Sequence, residues 1–167
     1  DGYTRLVQAK NPSGLEPKNA EQSIALDILM DNSIGIVSLG GPAGTGKSLM
    51  ALAAGLQQVK DRKVDKVVVF RPVTSVGGQD LGFLPGTAEE KMAPWAAAVH
   101  DALESIMKPN EIRDLGAKLK VEPLTHIRGR TLKNTFVIID EAHSSQSGES
   151  AADLRQVLTL DEAEKES

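Results

Sequence analysis

Apolar residues in this chain cluster in short segments, and segments of that length predict strands buried in a sheet. They are Ile36 to Leu39, Lys66-Val-Val-Val-Phe70, Lys120 to Leu124 and Thr135-Phe-Val-Ile-Ile139. Between them the pattern is helical. Pro17 to Met30 carries Ile24, Leu26, Ile28 and Leu29, and Asn19 followed by Gln22 predicts a capping box at its start. An Ala- and Leu-rich helix covers Leu49 to Val59. Thr87-Ala-Glu-Glu90 caps a long helix that reaches Met107, with a break or restart expected at Pro94. A shorter helix is expected from Asn110 to Leu119. Strands alternating with helices predict an α/β fold, a parallel sheet with helices on both faces. Functional residues then belong at the carboxyl ends of the strands. Gly41–Ser48, Arg71, His126–Arg130 and Asp140-Glu141 all fall there.

The organisation divides the chain into an arm or linker at 1–17, one domain at 18–143 and a polar, acidic segment at 144–167. Composition narrows the class. The 167 residues, 40% apolar and 25% charged, are enough for one domain with a core. A net charge of −4 and a pI near 5.4 weigh against a generally basic nucleic-acid surface and leave room only for a local patch. The absence of cysteine excludes disulfides and thiolate metal sites and agrees with a cytoplasmic location. No run approaches membrane-spanning length.

The chemistry gathers at Gly41-Pro42-Ala43-Gly44-Thr45-Gly46-Lys47-Ser48-Leu49, which fits the phosphate-loop pattern Gly-x4-Gly-Lys-Ser between a strand and a helix. Glycines let the backbone curl so that successive N–H groups face phosphate oxygens, and the helix N-terminus adds a partial positive charge. Lys47 can reach the β- and γ-phosphates, and the Ser48 hydroxyl can take a place on Mg²⁺. Asp140-Glu141 ends an apolar strand, where the aspartate can hold Mg²⁺ and the glutamate can polarise an attacking water. His143 either reports the nucleotide state to a neighbouring site or is solvated. Gln22 can offer an amide to an adenine edge or serve only as a cap. Arg71 and the basic turn His126-Ile-Arg128-Gly-Arg130-Thr131 suit phosphodiester contacts, with a solvated surface as the plain alternative.

These residues together resemble the PhoH family of P-loop ATPases. The matching stretches are Glu16 to Gln22, Gly41–Ser48, Phe70-Arg-Pro72, Leu81-Gly-Phe-Leu-Pro-Gly86 with Glu90-Lys-Met92 and Trp95, His126 to Thr131, and Phe136 to Glu141. The Leu-Gly-Phe-Leu-Pro-Gly and Arg-Gly-Arg-Thr pair is the specific part, because the phosphate loop is shared by many NTPases. Val-Gly-Gly-Gln79 and Pro94-Trp95 look most like the ATPase half of PIN–PhoH fusions. The resemblance implies a RecA-like P-loop NTPase core, hexameric assembly, ATP with Mg²⁺, and single-stranded RNA as the polymer. It implies adenine contact by Gln22, phosphate contact by Lys47, metal binding by Ser48 and Asp140, and water activation by Glu141. It also implies a preceding PIN-type ribonuclease domain, with 1–17 as the tail of the connection. One departure stands out. Past Asp140-Glu141 the family continues into a further apolar strand, which lies between the phosphate-loop strand and the Asp-Glu strand, and 144–167 offers no such run. The sheet is therefore expected to be incomplete at its C-terminal end. Two other functions compete with an RNA-coupled ATPase: a nucleotide-binding switch or interaction module without a polymer, and a small-molecule kinase.

Overall fold

The valine run at 66–70 forms the middle of the sheet. β1 (Lys66–Arg71) is flanked by β2 (Leu119–Pro123) and β3 (Thr135–Ile139), both parallel to it, in the order β2-β1-β3. The computed structural model of the chain describes residues 10–71 and 88–140. A strand paired on both sides and covered on both faces has no polar face, which is why Val67 to Phe70 are all buried. Val67, Val69 and Ile138 pack with Leu52, Leu56 and Val59 of α2 (Lys47–Lys60) and with Leu103 of α3 (Ala88–Glu104). Val68 and Phe70 pack on the other face with Leu124 and Ile127, which belong to a 3-10 turn, and with Leu132. α1 (Ala20–Leu29) lies against α2 through Leu26, Leu29, Met50 and Ala54.

Local chemistry sets several boundaries. Asn19 caps α1, its side chain accepting from Gln22 N at 2.8 Å, but the expected capping box is only half made, because Gln22 Oε1 accepts from Lys18 N at 2.7 Å and not from Asn19 N. The break expected at Pro94 does not occur, and α3 runs through it. Pro94 sits on an exposed face, where water can satisfy the carbonyl that the ring leaves without a donor. α4 (Pro109–Leu115) is shorter than the expected helix, because Gly116 turns to φ +46° and starts a 3-10 turn that delivers Leu119 to β2. Near the N-terminus, a 3-10 turn at Pro12–Gly14 docks on α2: Ser13 N donates to Gln57 Oε1 at 2.8 Å and Ser13 Oγ to Ala53 O at 3.3 Å.

The expected strand at Ile36 to Leu39 is corrected. The segment has no place in the sheet; Val37 and Leu39 pack on the α1–α2 cluster while Ile36 is 66% exposed. A strand exists only beside a partner backbone, and among the described residues none lies next to 36–39. Residues 1–9, the loop Val73 to Gly86 with its Leu-Gly-Phe-Leu-Pro-Gly motif, the Thr87 cap and the segment 144–167 lie outside the described residues.

Candidate functional site

The phosphate-loop pattern takes the shape its glycines allow. Gly44 at φ +77° and Gly46 at φ +83° occupy the left-handed region, where a Cβ would be strained. Gly46 is the N-cap of α2, and Met50 N donates to its carbonyl at 2.9 Å to open the helix. The N–H groups of the first helical turn have no partner within the helix and point back toward the loop. Gly41 to Thr45 are exposed, as a loop that takes a soluble anion must be.

Lys47 is folded into the loop. Its Nζ donates to Gly41 O at 2.9 Å, to Pro42 O at 2.6 Å and to Thr45 Oγ1 at 3.3 Å, while Thr45 Oγ1 donates to Pro42 O at 2.9 Å. An ammonium has three donors and no acceptor, so loop oxygens serve it here as phosphate oxygens could. From the other side, Gln22 Nε2 donates to Thr45 O at 3.2 Å, tying the start of α1 to the loop.

Ser48 and Asp140, far apart in sequence, meet directly: Ser48 Oγ donates to Asp140 Oδ1 at 2.7 Å. Asp140 follows β3, and its N–H donates to Phe70 O at 3.0 Å, which carries the parallel ladder one step past the strand. Arg71, at the end of β1, places Nη1 3.7 Å from Asp140 Oδ2. A hydroxyl and a carboxylate brought together beside a helix N-terminus are a hard-oxygen donor set, and they fit Mg²⁺. Leu49 lies half-buried in the first turn of α2, beside this pair in sequence.

Arg128 and Arg130 stand at the carboxyl end of β2, beyond the 3-10 turn Leu124–Ile127. Arg128 is exposed, and Gly129 at φ +66° makes the turn that follows. Arg130 is ion-paired with Glu122 of β2. Sequence reasoning missed Glu122. The available signal was an acidic residue in a short strand, followed eight positions on by an arginine. Glu141 and His143 lie outside the described residues, so the structure brings together Gln22, the loop, Lys47, Ser48, Arg71 and Asp140. A cavity of about 600 Å³ between α3, α4 and β2, lined by Val99, Leu103, Ile112 and Leu119, shares none of these residues.

Comparison with known proteins agrees on the kind of protein. The family model described as PhoH-like protein matches residues 14–157. Protein PhoH2 of Mycolicibacterium smegmatis is 52% identical over 92% of this chain and 37% of its own length. Protein PhoH2 of Thermobispora bispora is 50% identical over 99% of this chain and 41% of its own length. Protein PhoH2 of Bacillus subtilis is 46% identical over 78% of this chain and 31% of its own length. The chain thus spans well under half the length of these curated relatives.

Proposed function

This chain belongs to the PhoH family, and from that premise we propose that it binds ATP with Mg²⁺, hydrolyses it, and couples the cycle to single-stranded RNA. The observation that carries the reading is the 2.7 Å contact of Ser48 Oγ with Asp140 Oδ1 at the mouth of the loop. It joins the last residue of the phosphate-loop motif to the acidic strand end, the pairing that a metal-dependent nucleotide site needs. When bound, Mg²⁺ supplies charge neutralisation at the β- and γ-phosphates. Lys47 exchanges its loop carbonyls for phosphate oxygens, Ser48 and Asp140 hold the ion, and Gln22 turns its amide from Thr45 O to the adenine edge. Glu141, the residue after Asp140, orients the attacking water. Arg128 at the strand end takes polymer phosphates, and Arg130 joins it by exchanging its ion pair with Glu122; Arg71 shares that edge, but its guanidinium lies against Asp140. RNA as the polymer, hexameric assembly, a fused PIN ribonuclease domain and a cytoplasmic location belong to the same proposal, supported by the resemblance of the Leu81–Gly86 and Arg128–Thr131 motifs.

A switch without a polymer would bind ATP and show no response to RNA. A kinase would need an acceptor pocket beside the loop, and the cavity between α3 and α4 shares no residue with it. The test has two arms. Lys47→Ala should lose a charge-assisted contact of about 1.5–3 kcal/mol, a fall of at least tenfold in ATP affinity by calorimetry. Glu141→Gln should keep ATP affinity while steady-state turnover falls about a hundredfold. Unchanged affinity in the first variant, or unchanged turnover in the second, rejects the assignment. RNA stimulation of turnover separates the coupled ATPase from the switch.

A further inference from the structure

We propose that Arg71 is the positioning residue for Asp140, setting the carboxylate that receives the metal, and that it is not a polymer contact. The inference deepens the reading of the loop as a Mg²⁺–nucleotide site and rests on it. β1 and β3 pair in parallel with Phe70 opposite Ile139, so Arg71 and Asp140 are the next step of the same register. Asp140 N donates to Phe70 O at 3.0 Å, which fixes the aspartate backbone against β1. The two carboxylate oxygens are then divided: Oδ1 accepts from Ser48 Oγ at 2.7 Å, and Oδ2 faces Arg71 Nη1 at 3.7 Å. One oxygen is turned to the start of α2, where phosphates would lie, and the other to a fixed positive charge. The Arg71 and Asp140 side chains are 21% and 24% exposed, whereas Arg128 is open to solvent. A guanidinium enclosed beside an aspartate is placed to steer it, and less well placed to track a polymer backbone. Mg²⁺ demands near-octahedral geometry, so the orientation of a ligand carboxylate matters to it. Loss of a residue that orients a metal ligand typically costs about 10–100-fold in metal affinity.

The experiment measures ATP affinity of the full-length protein by calorimetry, in EDTA and in Mg²⁺, for wild type, Arg71→Gln, Arg71→Lys, Asp140→Asn and the Arg71→Gln/Asp140→Asn double variant. In Arg71→Gln, affinity in EDTA should stay near wild type while the gain on adding Mg²⁺ shrinks by about tenfold. Arg71→Lys, which keeps the charge, should recover most of that gain. In the Asp140→Asn background the Arg71 substitution should have no further effect, because it acts through the aspartate. A Mg²⁺ gain in Arg71→Gln equal to or above wild type overturns the proposal, as does a loss that persists without Asp140. Salt titration of single-stranded RNA binding should keep its slope in Arg71→Gln. A slope reduced by about one charge makes Arg71 a phosphate contact and overturns the positioning role. Wild type that binds no ATP under either condition rejects the nucleotide reading itself, an outcome distinct from the others.

Discussion

The Gln22 amide serves two backbones at once. Its Oε1 accepts from Lys18 N at 2.7 Å and its Nε2 donates to Thr45 O at 3.2 Å. It therefore closes the cap of α1 and steadies the loop, and an incoming adenine has to compete with Thr45 O for the Nε2 donor. Gln22→Ala should lower ATP affinity by about 0.5–1.5 kcal/mol, the worth of a neutral hydrogen bond, and lower GTP affinity less. Equal losses for the two nucleotides, measured by competition, would leave Gln22 only its loop-holding role. The residues of the site were unevenly legible in the sequence. Lys47 and Ser48 sit in one contiguous motif whose spacing is itself the mechanism, and Asp140 ends an apolar run. The Arg71–Asp140 pair and the Arg130–Glu122 pair were not legible. Arg71 meets Asp140 because β3 pairs with β1, an adjacency that no local pattern encodes, and Glu122 reads in sequence as an ordinary polar strand position.

At the scale of elements, α2 packs on the sheet so closely that one position must be glycine. A Cβ at Gly55 would lie 2.7 Å from Phe136 Cδ1 and 3.1 Å from Val67 Cγ2. Alanine would improve helix propensity by about 1 kcal/mol, but overpacking a tight core costs about 1–3 kcal/mol. Crowding by both β1 and β3 should win, so Gly55→Ala is expected to lower the denaturation midpoint; a stabilised variant would show that Phe136 swings aside freely. α4 offers a pH test. The Glu111 carboxyl is held below the usual carboxylate range by the Lys108 N–H that donates to it at 3.0 Å, with Lys60 Nζ 3.5 Å away. A depressed folded-state value means that this support is present above the ordinary carboxylate range and is lost as pH falls through the lowered value. Amide exchange across Pro109–Leu115, corrected for its intrinsic pH dependence, should therefore accelerate in acid, and Glu111→Ala should remove that pH dependence. Strand and helix identities were legible here because Val- and Ile-rich runs and Ala-rich stretches differ in period. The passage through Pro94 and the stop at Leu115 were not, since one depends on exposure and the other on the φ of Gly116.

Across the whole molecule, the halves of the site are anchored by different means. Asp140 is held by the backbone ladder of the sheet, through Phe70 O. The loop is held by side chains, with Val37 and Leu39 on the α1–α2 cluster before it and α2 on β1 and β3 after it. The Ser48–Asp140 contact therefore rests on α2 lying against Phe136 and Val67, because among the described residues no strand bridges 36–39 and β3. The run at Ile36–Leu39 reads as a strand in the sequence and is not one in the sheet, since a partner's backbone is a property of the whole sheet and no local pattern encodes it. Backbone groups without a ladder are open to water, and exchange reports that directly. In this 167-residue chain, amides of 36–39 should exchange at near-unprotected rates while those of Val67–Phe70, paired on both sides, exchange among the slowest of the molecule. Hydrogen–deuterium exchange with peptide-level mass spectrometry resolves the two stretches. Protection of 36–39 equal to that of Val67–Phe70 would mean that a strand from outside the described residues pairs with it, and that the loop is anchored by the sheet on both sides.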